Sequence, residues 1–229
     1  MKPGSSSLHR LYDAGPAQAL IDKHDALSYP FQTTFGLADL VIAEGVFCPT
    51  LTRVSPLLQR EVEYRSHERV LDAFTGSGAF AIEAALHGSS DVVAFDNELV
   101  SVRCARQNAI RNGVERVVDV RYGTAEEVLA VDESFDLVIA NPPLLPGDSR
   151  GPLRGAIFDP GLRATTDFVR RLPTFLAESG RCYLVTSDVL DRASVDLDRM
   201  CTKHGMVATL QTKDEYEHET YRVHLIRHA

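Results

Sequence analysis

From Arg69 onward, short β-rich runs alternate with amphipathic stretches, and this alternation restricts the fold more than any other feature of the chain. The candidate strands are Val70 to Phe74, Asp91 to Asp96, Val117 to Tyr122, Phe135 to Asn141, Arg181 to Ser187, Met206 to Thr212 and His218 to Arg227. Between the first five lie helix-patterned segments, Ala79 to His87, Glu98 to Arg111, Ala125 to Val131 and Thr165 to Glu178. Gly113, Gly180 and Gly205 stand where helices should stop. Such an order implies an α/β protein: a doubly wound, mostly parallel seven-stranded sheet with helices on both faces. The last two runs lack a long helix between them and are expected to form an antiparallel hairpin at the end of the sheet.

Before Arg69 the pattern changes. Ser7 to Ser28 is patchily helical, Leu40-Val41-Ile42-Ala43 is a short apolar run, and Leu51 to Tyr64 reads as a further helix. Residues 1–64 are therefore expected to form a helical cap over the active edge of a catalytic domain at 65–229. Sixty residues of this composition bury too little to stand alone, whereas 229 residues support one large domain.

Lys and Arg number 24 against 32 Asp and Glu, a net charge of −8 that argues against a nucleic-acid substrate. A local basic patch around Arg150, Arg154 and Arg163 is the exception, and solvated loop charges are the simpler reading of it. The four cysteines are scattered with no CxxC pair, which suits a reducing cytosol and argues against structural zinc. No apolar stretch is long enough to span a bilayer and the start lacks a signal-peptide core, so a cytoplasmic protein without membrane association is expected.

Two motifs carry chemistry. Val70 to Asp72 runs into Ala73-Phe74-Thr75-Gly76-Ser77-Gly78 and then a helix, a turn without Cβ atoms at its glycines and with a helix amino-terminus facing the crevice. Asp96 ends the next strand, twenty residues after Gly76, where a carboxylate can take both hydroxyls of a ribose. Gly76-x-Gly78-x-x-Ala81 also fits a loose dinucleotide fingerprint. Asp72 turns the reading, because a carboxylate there would repel a pyrophosphate yet suit the ammonium of an amino-acid tail. The second motif, Asn141-Pro142-Pro143-Leu144, is a rigid corner at the end of the Phe135 to Ala140 run, holding an amide and carbonyl oxygens over the crevice.

On these residues, with Phe95-Asp96-Asn97 and Gly123-Thr124-Ala125-Glu126, the chain resembles class I S-adenosylmethionine (SAM)-dependent methyltransferases. It is most similar to the N-methyltransferase branch with an (Asn/Asp)-Pro-Pro-(Tyr/Phe) motif, and nearest to release-factor glutamine methyltransferases. The resemblance implies a Rossmann-like SAM-binding fold. It implies that Asp72 and Thr75, Gly76, Ser77 and Gly78 hold the methionine moiety, that Asp96 binds the ribose, and that Asn97, Thr124 and Ala125 border the adenine. It further implies that Asn141 and the Pro142 carbonyl accept hydrogen bonds from the nitrogen being methylated, so that positioning rather than a strong base supplies the rate.

The chain departs from that branch at Leu144, where an aromatic ring usually stacks on a planar acceptor. The acceptor is accordingly read as a small molecule, amino acid or peptide, with Phe47, Thr50, Leu144 and Tyr183 as candidate substrate contacts; Phe47 and Tyr183 suit the core at least as well. Leu144 to Arg163 reads as a lid. Two rivals stand beside a methyltransferase. In one, the amino nitrogen of SAM attacks its own γ-carbon, expelling methylthioadenosine and forming azetidine-2-carboxylate, with no separate acceptor. In the other, the chain is a non-catalytic SAM-binding subunit, a reading that the intact Asn-Pro-Pro corner opposes. His218, His224 and His228 read as a polar strand face rather than metal ligands, and Asp214, Glu215 and Glu217 as a solvated loop.

Overall fold

A computed structural model describes residues 12–216 and 219–229. The first residues of the helical stretch expected from Ser7, together with Glu217 and His218, lie outside the described residues. The described chain begins with helix α1 (Ala14–Asp25), a hairpin of β1 (Phe31–Phe35) and β2 (Ala38–Ile42), a 3-10 turn (Pro49–Leu51) and α2 (Val54–Glu61). There follow β3 (Arg69–Ala73), α3 (Ala79–Leu86), β4 (Asp91–Asp96), α4 (Leu99–Arg111), β5 (Val118–Tyr122), α5 (Ala125–Val128) and β6 (Phe135–Ala140). The last third holds α6 (Pro152–Ile157), α7 (Arg163–Arg171), β7 (Leu176–Ser187), α8 (Val189–Arg192), α9 (Leu197–Lys203), β8 (Met206–Tyr216) and β9 (Glu219–His228).

Seven strands form one sheet in the order β5-β4-β3-β6-β7-β9-β8. β5 to β7 run parallel, and β9 is antiparallel to both β7 and β8, so the expected terminal hairpin is present. Alternate side chains of the central strands feed two cores. Val70, Leu137, Ile139 and Val185 enter one with α3 and α4, while Leu71, Val138, Ala140 and Leu184 enter the other with α7 and α9. A strand buried on both faces is apolar at most positions, which explains why β3 and β6 read as near-continuous hydrophobic runs interrupted at Asp72 and Asp136.

The amino-terminal segment is not only helical. Leu40-Val41-Ile42 pairs as β2, and its inward residues Leu40 and Ile42 share a core with Val70 and Ile82. The edge of β2 is completed by side chains of α4: Asn108 Oδ1 accepts from the Val41 N–H at 2.9 Å and Asn112 Oδ1 from the Asp39 N–H at 2.9 Å. Asn112 Nδ2 also donates to the Asp39 carbonyl at 2.8 Å. Two asparagines one helical turn apart thus take the place of a neighbouring strand. The buried Glu83 carboxylate accepts the Leu37 and Ala38 N–H groups at the hairpin turn.

Three further boundaries differ from expectation. The helix expected from Thr165 to Glu178 ends at Arg171, because Pro173 cannot continue it, and β7 begins at Leu176. The expected helix from Leu51 shortens to α2 after a 3-10 turn. Asp214 and Glu215 belong to β8 rather than to a loop, and Arg53 of the amino-terminal segment pairs with Asp214 at 2.9 Å and lies over the Tyr216 ring. The four cysteines are buried free thiols. No helix among the described residues is long and apolar enough to cross a membrane.

Candidate active site

The turn after β3 is held in an unusual backbone path. Phe74 adopts a φ of 62°, Gly76 54° and Gly78 84°, the left-handed region that L side chains rarely occupy. Phe74 tolerates it because its ring packs against Phe95 and Phe168. Gly78 needs to be glycine twice over, since a Cβ there would also lie 3.0 Å from the Ala105 methyl on α4. Asp72 Oδ2 accepts from Thr75 Oγ at 2.6 Å and from the Ala81 N–H at 3.0 Å, tying the turn to α3. Both of these bonds fall on one carboxylate oxygen. Burial pushes the Asp72 carboxyl up to about 7, with the bonds from Thr75 and Ala81 opposing.

Asp96, at the end of β4, faces this turn. Its Oδ2 accepts from the Gly76 N–H and its Oδ1 from the Glu98 N–H, each at 2.9 Å. Burial raises its carboxyl to about 6. On the far side of β3, the end of β6 delivers Asn141-Pro142-Pro143. Asn141 Nδ2 donates to Ser55 Oγ of α2 at 3.2 Å.

These parts meet in one crevice along the carboxyl edge of the sheet, with about 1230 Å³ of space free of protein atoms, part of it open to solvent. Thr75, Gly76, Ser77, Asp96, Asn97, Asn141, Pro142, Leu144 and Phe47 all line it. Open α/β sheets bind ligands at this edge. Its roof comes from α1 (Pro16, Ala17, Leu20) and α6 (Ala156, Ile157). The buried His24 fastens α1 in place: its Nε2 accepts the Cys48 N–H at 3.0 Å and its Nδ1–H donates to the Leu20 carbonyl at 2.9 Å. Desolvation lowers the His24 imidazole below its ordinary value.

Several predicted residues stand elsewhere. Asp72 and Gly78 support the turn from behind and do not line the crevice. Thr124 and Ala125 do not reach it; Thr124 is engaged in a capping box with Glu127 that starts α5. Glu98 and Ser101 of α4 line the crevice beside Asn97 instead. Thr50 is exposed and bonds to Thr33 Oγ, and Tyr183 is core, because it pairs with Ile139 two residues below Asn141. Arg150 is paired with Asp148, and Arg154 donates to the Asp148 carbonyl while covering Phe158, so both serve the local structure of the lid. The described histidines of β9 bond singly, His224 to Thr186 and His228 to the Leu176 carbonyl.

Sequence reasoning missed Ser55, Glu219 and Tyr221, all of which line the crevice. They come from an amino-terminal helix and the last strand, and no local pattern marks them.

Residues 64–223 match a family of methyltransferase domains. The chain belongs to that family. It is 31% identical over 197 residues to a release factor glutamine methyltransferase of Xylella fastidiosa, covering 79% of this chain and 68% of the relative. It is 47% identical over 73 residues to a ribosomal protein L11 methyltransferase of Symbiobacterium thermophilum, a match of 32% of this chain that spans only 23% of that protein. By shape it is similar to a putative RNA methyltransferase of Pyrococcus horikoshii, with a TM-score of 0.56 at 16% identity over 93% of this chain and 96% of the other. The expectation that nucleic acid is not the substrate finds no support among these likenesses.

Methyltransferases of this family use S-adenosylmethionine, and the crevice suits it. A Cβ at Gly76 would meet nothing within 4 Å, so the turn offers bare backbone to a ligand. The Asp96 carboxylate stands at the strand end where ribose hydroxyls would be met.

Proposed function

We propose that the domain methylates a nitrogen of a small molecule, amino acid or peptide in the cytoplasm. The observation that carries this reading is the Asn141-Pro142 corner, which shares one crevice with Thr75, Gly76, Ser77 and Asp96. When bound, S-adenosylmethionine supplies a methyl on a sulfonium, whose carbon–sulfur bond breaks as the new nitrogen–carbon bond forms.

The chain's contribution is positioning. Because the Asn141 amide nitrogen donates to Ser55, its Oδ1 is the face left to the crevice. Oδ1 and the Pro142 carbonyl are both acceptors, and Pro143 has no N–H with which to compete. Together they can hold the N–H groups of an acceptor and aim its lone pair, an effect worth several orders of magnitude in rate. An aliphatic acceptor must first give one proton to water so that its lone pair is free, and it leaves as a methylated ammonium; an amide nitrogen instead loses its proton once the methyl has arrived. The Thr75, Gly76 and Ser77 backbone would hold the methionine moiety, with Asp72 fixing the turn from behind, and Asp96 would bind the ribose.

Leu144 is only 8% exposed and lines the crevice where a stacking ring would otherwise stand. That supports an aliphatic amine over a planar amide or base. The relatives' names, which specify a glutamine of release factor and a ribosomal protein, support a peptide side chain as one candidate.

The test incubates purified protein with S-adenosylmethionine, alone and with amines, glutamine peptides and nucleosides, and follows adenosine products by mass spectrometry. S-adenosylhomocysteine formed only with an added nitrogen acceptor is the expected result. Methylthioadenosine with azetidine-2-carboxylate from the donor alone would replace this reading with the cyclase.

A further inference from the structure

Glu219 opens β9 and lines the same crevice as Asn141. It is 4% exposed, and neither carboxylate oxygen hydrogen-bonds to any described residue. Proteins leave very few buried polar groups unsatisfied, and a carboxylate is among the most costly to leave so. Here it serves no visible structural purpose: it caps no helix and closes no ion pair among the described residues.

Its surroundings are acidic rather than compensating. Asp188 and Asp13 act on it from neighbouring elements, and the nearby cation, Arg192, is bonded to Asp188. Tyr221 and Tyr12 are near enough for its charge to act on them. Tyr221 bears on the carboxylate without completing a hydrogen bond, and burial outweighs it, so the carboxyl is raised.

The sheet order separates two sides of the crevice. β3 and β4 carry the glycine turn and Asp96; β6 carries Asn141; β7 and then β9 lie beyond it. Tyr221 pairs with Ser187 at the end of β7, which places the start of β9 on the same carboxyl edge. The donor's contacts lie on one side of Asn141, and Glu219 lies on the other.

We propose that Glu219, with Tyr221 beside it, binds a positively charged group of the acceptor, so that the substrate is a molecule or side-chain terminus bearing an ammonium. An ammonium brings three N–H donors and the charge that this carboxylate lacks. The proposal rests on the N-methyltransferase reading, but its test does not require turnover.

Calorimetry on the full chain saturated with S-adenosylhomocysteine would compare n-butylammonium chloride with n-pentanol, a neutral probe of similar length. Wild-type protein is expected to bind the cation at least about tenfold more tightly, as a charge-assisted hydrogen bond implies. Glu219→Gln should erase that preference and leave S-adenosylhomocysteine affinity within about twofold, while Glu219→Asp should keep a reduced preference. Glu219→Gln removes an unpaired buried charge, so its melting temperature should not fall; should it fail to fold, the wild-type comparison and Glu219→Asp still decide. Equal affinity for the two probes, or a preference that survives Glu219→Gln, would overturn the proposal. So would a tenfold loss of S-adenosylhomocysteine affinity in Glu219→Gln, because the carboxylate would then serve the cofactor's own ammonium. Methyl transfer that fails with every nitrogen acceptor while the cation preference persists would instead count against the N-methyltransferase reading.

Discussion

The Asn141 side chain is oriented by Ser55, 86 residues earlier in the chain, through a 3.2 Å hydrogen bond from Nδ2 to Oγ. The amino-terminal segment therefore does more than roof the crevice. It decides which end of the Asn141 amide faces the crevice. Asn141→Ala should lower methyl transfer at least about a hundredfold, whereas Ser55→Ala, which only frees the amide to rotate, should lower it about three- to tenfold. Both variants should bind S-adenosylmethionine within about twofold of wild type by calorimetry. Equal losses in the two would show that Ser55 does not act through orientation.

Burial raises the Asp72 carboxyl to about 7 and the Asp96 carboxyl to about 6, and donor binding should depend on pH through Asp96, which lines the crevice. Asp96 must be ionised to accept from both ribose hydroxyls, so affinity should weaken as pH falls from about 7 toward about 5. The ligand-free fold should respond in the opposite sense. A carboxyl raised above its ordinary 3.8 favours the folded state where it is protonated, and that contribution is lost as pH rises through about 7. Asp96→Asn should flatten the binding profile and Asp72→Asn the melting profile, in parallel titration and melting experiments.

The two turn glycines should separate stability from binding. Gly78→Ala meets both a φ of 84° and the Ala105 methyl, and should cost about 1–3 kcal/mol, a fall of several degrees in melting temperature. Gly76→Ala meets open space and should cost only the backbone strain, about 1–2 kcal/mol. Its methyl would project toward the crevice, so S-adenosylmethionine affinity should fall about tenfold or more, as expected for a lost close backbone approach. A Gly76→Ala variant that binds normally would mean the donor does not approach this turn.

His24 should make docking of α1 sensitive to acid. Its Nε2 must be unprotonated to accept the Cys48 N–H, and burial lowers its value from 6.5. The stabilisation is complete above about 6.5, declines as pH falls below that value, and is gone beneath the folded value. Hydrogen exchange at the Cys48 amide should accelerate between pH 7 and pH 5 relative to the intrinsic rate. His24→Ala should show fast exchange at both, with a cost of about 1–3 kcal/mol for the orphaned buried donor.

Much of this protein could be read from its residues because the information was local. The strands β3, β4 and β6 announce themselves as largely apolar runs, since a strand covered on both faces buries most of its positions. The glycine turn and the Asn141 corner follow directly from strand ends, so their meeting at one sheet edge needed only the parallel order. The helix expected past Arg171 failed where Pro173 broke it, and β2 was missed because four apolar residues fit a helix or a strand equally well. Thr124 and Ala125 were placed by resemblance and Thr50 and Tyr183 as candidate substrate contacts, and none of the four lines the crevice.

By itself the sequence determined the layered α/β sheet, the glycine turn after β3 and the Asn141 corner that shares its crevice, because each depends on backbone periodicity and on residues close in the chain. Only the tertiary structure decided that Ser55 orients Asn141, that α4 asparagines complete the edge of β2, and that an unpartnered Glu219 looks into the same crevice. Those relations join residues tens to more than a hundred positions apart, and no local pattern encodes a contact whose partner is set by how the layers close.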